Sequence, residues 1–361
     1  MRYVIAAVLS LSASPGLAGD TALPATEIVP IYASSNRPLV MLTIGDSAPL
    51  PVVFDTGTDE NILGATYAGR AALKLVGHST VVDAATGKSL EVPKAETPDP
   101  RISGVALDTK TVQLLDRGRD DDAGIFGPDS FGSRYVVVEA GLNRLRIIPK
   151  GVGFVPPGPG HAYKDNLPAV EIKLGGQSHV AIMDTGNDSV LILGGDSAKT
   201  VPLKSPPKVI GIARSALGEQ EILGGELSGS LTVGPYTLHN PDVTFATGRA
   251  AANIGFPVIR HLTIVLDPAA RRSWVLDPAG ERPSWKDFTG RFGPRTIRLE
   301  NGKVIHQRDG RPAFELKYLG GDLFENPATG DRIQFFRKDG RVVRLELITP
   351  DGQVAPAERT A

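Results

Sequence analysis

Pro51-Val52-Val53-Phe54-Asp55-Thr56-Gly57-Thr58 and Val180-Ala181-Ile182-Met183-Asp184-Thr185-Gly186-Asn187 decide how this chain folds. In each stretch an apolar run ends on a carboxylate and then turns on glycine. One Asp-Thr-Gly would carry little information, because Asp and Gly are common turn residues. Two copies in matching surroundings point to an internal repeat. Asp55 and Asp184 are 129 positions apart (184 − 55). Further on, Gly124-Ile125-Phe126-Gly127 matches Asn253-Ile254-Gly255-Phe256, and Gly127 and Gly255 are 128 apart (255 − 127). Two separate landmarks thus share nearly one offset.

The match extends in both directions. Upstream, Arg37-Pro38-Leu39-Val40-Met41-Leu42-Thr43-Ile44-Gly45 corresponds to Leu167-Pro168-Ala169-Val170-Glu171-Ile172-Lys173-Leu174-Gly175. Each reads as a strand, a glycine turn, and then the strand that delivers the aspartate. Downstream, Tyr135-Val136-Val137-Val138-Glu139 corresponds to Thr263-Ile264-Val265-Leu266-Asp267. About 30 residues after each aspartate lies a hairpin candidate. The first is Thr80–Val82 and Ser89–Val92 around Ala84–Gly87; the second is Val209–Ile212 and Gln220–Leu223 around Arg214–Gly218.

The expected organisation is mostly β: two tandem closed β lobes and a small C-terminal antiparallel β-module. Residues 19–150 form the first lobe, 151–165 a Pro/Gly-rich linker and 166–280 the second lobe. Residues 287–356 form the module, marked by hairpin turns at Asn301-Gly302, Asp309-Gly310, Asp339-Gly340 and Asp351-Gly352. Residues 1–18 read as an export signal: Arg2 precedes the apolar run Tyr3–Leu11, and small residues at Gly16 and Ala18 suit cleavage after Ala18. The expected location is therefore periplasmic or secreted. No stretch is long enough for a membrane span.

Composition narrows the chemistry. Net charge is 39 − 40 = −1, so no electrostatic argument favours nucleic acid. The chain has no cysteine, which removes disulfides, thiolate metal sites and cysteine nucleophiles together. The histidines are scattered, and no cofactor or metal is expected. Asp120-Asp121-Asp122 lacks the spacing of a calcium loop and reads as a solvated acidic turn. Thr86-Gly87-Lys88-Ser89 imitates the end of a phosphate loop, but Val82 stands where its first glycine belongs.

With both Asp-Thr-Gly copies and both downstream glycine segments in view, the stretch from about Ile31 to Asp277 resembles the bilobal aspartic peptidases of the pepsin and retropepsin-like superfamily. The resemblance implies that Asp55 and Asp184 form a catalytic dyad, acting on a peptide or protein substrate through one water. Because both halves lie in one chain, no homodimer is required. Two close carboxylates share a proton, giving one acid and one base at a single point. The resemblance further implies supporting roles for Thr56, Gly57, Thr58, Thr185, Gly186 and Asn187. The threonine hydroxyls would bond across the lobes, and the glycines would allow the tight turns. It places a flap at Ala84, Ala85, Thr86 and Gly87.

The chain departs from pepsins in several places. No tyrosine lies near the flap, Asn187 stands where pepsins carry Thr or Ser, and Asn253 precedes Ile254-Gly255. Asp59 and Asp188 add two acids near the site. The module, from Gly290-Arg291-Phe292-Gly293 onward, is similar to small lipocalin-like β-modules appended to bacterial hydrolases. The rival reading is an exported binding or scaffolding protein that keeps the peptidase fold without turnover.

Overall fold

A computed structural model describes residues 26–34, 36–82, 89–116, 121–151, 153–215, 218–246, 251–276, 284–320, 322–338, 341–349 and 353–360. The export-signal segment 1–18 and the flap residues Ala84–Gly87 lie outside the described residues. The protein is mostly β. No helix among the described residues is long and apolar enough to cross a membrane.

The repeat seen in the sequence reappears as repeated topology. Across the first lobe's sheet the strands run Leu75–Val82, Ser89–Glu96, Thr111–Leu114, Ile62–Leu63, Gly124–Phe126, Leu50–Phe54, Arg37–Ile44, Pro100–Ile102 and Val105–Ala106. The second lobe runs Lys208–Ser215, Gly218–Glu226, Asp242–Ala246, Leu191–Gly194, Ala252–Gly255, Gln177–Asp184, Ala169–Leu174, Ser230–Val233 and Tyr236–His239. The two orders match strand for strand. The first lobe adds only Tyr32–Ser34, paired with Arg37–Ile44. In each lobe the aspartate ends a central strand that has neighbours on both sides, and Val52, Val53 and Phe54 are almost wholly buried. A residue at the end of such a strand is held by a rigid scaffold. Both hairpins form, with longer arms than the sequence suggested.

A six-stranded sheet joins the lobes, in the order Glu27–Pro30, Arg144–Ile148, Tyr135–Glu139, Thr263–Asp267, Arg272–Leu276, His161–Ala162. The first three strands come from one lobe. The fourth and fifth come from the other, and His161–Ala162 comes from the segment expected to be linker. At the junction Val136 faces Leu266, Val137 faces Val265 and Val138 faces Ile264. Val137 and Val265 are equivalent under the repeat (265 − 137 = 128), so the pseudo-two-fold axis passes between them.

Side-chain alternation divides the work of this sheet. Val136, Val138, Ile264 and Leu266 join one apolar core that runs through both lobes. Val137 and Val265 face the other way, where Tyr135, Phe154 and Trp274 cover them. Phe154 belongs to the linker segment, which therefore roofs the sheet instead of merely spanning a gap. Trp274 donates its indole N–H to the Gly158 carbonyl. Gly160 (φ +65°) has the ring so close that a Cβ there would lie 2.5 Å from it.

The C-terminal module is a nine-stranded antiparallel sheet. Its first strand, Gly290–Phe292, pairs with its last, Val354–Thr360. The sheet's two outer strands, Ala313–Glu315 and Lys317–Gly320, are separated in the chain only by Leu316. The result is a nearly closed barrel. A separate apolar core fills it, built on Phe288, Phe292, Phe324 and Phe335. Phe324 lies 5.0 Å from the Phe288 ring, 5.6 Å from Phe335 and 5.8 Å from Trp285, all edge-on, the geometry that aromatic quadrupoles favour. Trp285–Phe288 is helical and packs into this core, so the module begins slightly before residue 287. Its strand Lys317–Gly320 touches the turn Ala140–Leu142 at the end of the interlobe sheet.

Asp121 and Asp122 are not simply solvated. The buried Arg37 guanidinium reaches Asp122 at 3.0 Å and Asp121 at 2.5 Å. Arg37 thus ties together both described members of the acidic triplet.

Replacing Phe324 by alanine is expected to cost about 3–5 kcal/mol, the usual range for a buried aromatic truncated to alanine. The chain's two tryptophans allow a direct check. With Trp274 replaced by phenylalanine, the fluorescence of Trp285 in the module should report unfolding at a lower denaturant concentration in the Phe324→Ala protein.

Candidate active site

The strand Leu50–Phe54 runs into Asp55, and Gln177–Asp184 ends on Asp184. Beside each runs a parallel strand. Phe126 pairs with Phe54, and Gly255 pairs with Asp184. The glycines closing these neighbours are there for space. A Cβ on Gly127 would lie 2.7 Å from the Thr58 carbonyl oxygen, and one on Gly255 would lie 2.0 Å from that of Ser189. Any larger residue would push the aspartate loop off the scaffold.

The two loops meet through their threonines. Thr56 Oγ1 accepts the Thr185 N–H at 3.0 Å and donates to the Met183 carbonyl at 2.6 Å. Reciprocally, Thr185 Oγ1 accepts the Thr56 N–H at 3.0 Å and donates to the Phe54 carbonyl at 2.5 Å. Both threonines are fully buried. Four short bonds thus lock each loop to the backbone just ahead of the opposite aspartate.

Gly57 and Gly186 bring the carboxyls together. A Cβ on Gly57 would lie 2.3 Å from the Asp184 carboxyl carbon, and one on Gly186 would lie 2.4 Å from Asp55 Oδ2. Both glycines lie in tight turns, as expected, and the structure adds a second reason for them. Neither is in the left-handed region; each is glycine because the other lobe's carboxyl occupies the place of its side chain. The Gly57 N–H donates to Asp55 Oδ1 at 2.7 Å, and the Asn187 N–H to Asp184 Oδ1 at 3.0 Å. The two carboxyls also hydrogen-bond each other.

Burial first, and the neighbouring Asp184 second, together raise the Asp55 carboxyl from its ordinary value to about 8. The N–H groups of Gly57 and Gly186 oppose the shift without cancelling it. The close pair therefore keeps one proton between its two carboxyls at neutral pH.

Thr58 does not touch the dyad. Its hydroxyl donates to the Glu60 carbonyl and accepts the Glu60 N–H, so it shapes its own loop. Asn187 does more than its place in the motif implied. Its side chain donates to Asn253 Oδ1 at 2.7 Å, and Asn253 Nδ2 donates to Asp184 Oδ2 at 2.7 Å. In the first lobe, Asn61 accepts the Gly127 N–H and the Ser130 hydroxyl, which braces the loop around Asp55. Neither Asn61 nor Asn253 was assigned a role from sequence. The only signal was that Asn253 is a polar residue in a slot where the first lobe has Ile125. Asp59 and Asp188 are exposed at the edges of the two loops. No group of three or more His, Asp or Glu among the described residues is arranged to hold a metal ion. No protein-family model and no curated protein matches the chain.

The raised Asp55 carboxyl makes stability depend on pH in a definite direction. A group whose folded value lies above its unfolded one contributes full stability below the unfolded value and loses it as pH rises. For Asp55 the loss runs from near 3.8 up to about 8. Replacing Asp55 by asparagine removes this titration. The melting temperature of Asp55→Asn relative to the natural protein should therefore climb across that window and level off above it. A difference that stays constant with pH would contradict the assignment.

Proposed function

We propose that the chain is an exported bilobal aspartic peptidase in which Asp55 and Asp184 hydrolyse peptide bonds through a shared water. The observation that carries this reading is the mutual insertion of the two loops, each carboxyl lying where the opposite glycine has no side chain. Two carboxyls driven together in this way, one of them protonated, supply an acid and a base on the same reacting centre.

The chemistry follows from the protonation states. A water between the carboxyls loses a proton to the ionised aspartate as its oxygen bonds to the peptide carbonyl carbon. The protonated aspartate donates to the carbonyl oxygen, giving a neutral gem-diol. That intermediate collapses when a hydroxyl proton returns to a carboxylate and the leaving nitrogen takes a proton from the dyad. The C–N bond breaks, one water is consumed, and the dyad regains its starting state. No acyl-enzyme forms, so no nucleophilic side chain is needed. The hairpins Leu75–Val82/Ser89–Glu96 and Lys208–Ser215/Gly218–Glu226 occupy the same place in the two lobes' sheets, and the substrate is an extended peptide lying between the lobes. Export rests on the N-terminal pattern of Arg2 and the apolar run Tyr3–Leu11.

Cleavage of a peptide library between about pH 3 and pH 8 tests the reading. Asp55→Asn and Asp184→Asn should each lower kcat/KM by at least about 100-fold while leaving the fold intact by circular dichroism. The natural protein's kcat/KM should fall as pH rises through about 8, where Asp55 loses its proton. Cleavage surviving in either variant would remove the dyad. A natural protein that cuts nothing would favour the non-catalytic binding protein.

A further inference from the structure

We propose that Asn253 is a positioning residue that makes the two carboxyls unequal, holding Asp184 as the carboxylate that takes the water's proton and leaving Asp55 to act as the acid. This deepens the peptidase reading and rests on it for its catalytic consequence.

The lobes share a topology, yet their aspartates meet different partners. Asn253 pairs with Ile182 in the second lobe's sheet, and Ile125 pairs with Val53 at the equivalent place in the first. The second lobe thus has an amide where the first has a hydrocarbon. Asn253 is 1 % exposed and Asn187 8 %, so their hydrogen bonds form away from water. In a buried site an unmade bond costs more and a made bond counts for more.

The direction of the network is fixed from its far end. The Ser189 N–H donates to Asn187 Oδ1 at 2.8 Å. That acceptor role sets which way the Asn187 amide points, so its Nδ2 donates to Asn253 Oδ1. The same logic turns Asn253, and its Nδ2 then donates to Asp184 Oδ2. A backbone N–H at one end thus dictates that a donor faces the carboxylate at the other. Asp184 Oδ1 meets a second donor, the Asn187 N–H. A proton on Asp184 Oδ2 would point at the Asn253 N–H and displace it, with the shift passed back along the chain. Asp55 has no such amide donor among the described residues: its N–H donors are the Gly57 and Gly186 backbones. The comparable asparagine of its lobe, Asn61, points its carbonyl oxygen at Gly127 and Ser130 instead. The titratable group that faces Asp55 is Asp184.

Two variants test this. Asn253→Ala removes the donor; Asn253→Asp keeps shape and volume but can donate only while neutral. Both should lower kcat by about 10- to 100-fold with KM held within about two-fold. The activity of Asn253→Asp relative to the natural protein should recover as pH falls and the introduced carboxyl becomes neutral, a change that a purely structural role would not produce. A second measurement needs no turnover. With ¹³C-labelled aspartate carboxyls assigned through Asp55→Asn, spectra at about pH 6 should place the proton on Asp55 in the natural protein. In Asn253→Ala it should move toward Asp184. An unchanged proton distribution in folded Asn253→Ala, or a proton already on Asp184 in the natural protein, would overturn the proposal. If the spectra behave as expected and the natural protein cleaves no peptide, the positioning role stands and the peptidase reading fails.

Discussion

Thr56 and Thr185 each accept an N–H from the opposite loop and donate to a carbonyl ahead of the opposite aspartate. Because each hydroxyl makes two bonds in a fully buried site, the loops cannot separate or slide without stranding several polar groups, each costing about 1–3 kcal/mol. The rest of the site depends on this constraint. It forces Gly57 and Gly186 against the opposite carboxyls, and that contact forbids a side chain at either position. A second fastening, the Val137–Val265 pairing in the interlobe sheet, also lies on the pseudo-two-fold axis. Two fixed points on one axis define the relation of the lobes far better than either would alone. The apolar core continuous through both lobes then supplies the bulk of the cohesion.

Symmetry is kept where it positions and broken where it reacts. Strand order, threonine bonds and loop glycines repeat between the lobes. The residues around each carboxyl do not. The first lobe uses Asn61 to brace a loop, and the second uses Asn253 to reach a carboxylate. A duplicated scaffold allows this, because the buried strands that hold the loops are independent of the few side chains that contact the acids. An acid and a base can then be built from the same residue type in the same local conformation.

Much of this was legible in the sequence, for identifiable reasons. A continuous apolar run ending in Asp-Thr-Gly exposes both the strand and its turn, and an offset shared by distant landmarks exposes the duplication. The same patterning located both hairpins. What stayed hidden depended on contacts through space. The loop glycines looked like turn residues alone, because sequence shows that a side chain is missing without showing what fills its place. Thr58 shared the motif and was grouped with the dyad, though its hydroxyl turns to Glu60. Asp121 and Asp122 looked solvated because Arg37, more than eighty residues earlier, could not be matched to them by spacing. The short strand His161–Ala162 was concealed by the prolines and glycines around it, and the barrel's closure pairs strands from the two ends of the module.

The character of the donors around Asp55 bears on how such a site can persist. Burial and the adjacent Asp184 both work against a second negative charge, and the groups that relieve it are neutral backbone N–H groups of Gly57 and Gly186. A lysine or arginine in their place would stabilise the dyad more, but it would hold both carboxyls ionised and leave no acid. Neutral donors offset part of the repulsion and keep one proton bound. The site is therefore a point of net strain, tolerable only where the surrounding structure over-determines the geometry. That is why reciprocal threonine hydrogen bonds and side-chain-free glycines meet at the two Asp-Thr-Gly loops: a looser junction would relax the carboxyls apart and return Asp55 to an ordinary, fully ionised aspartate.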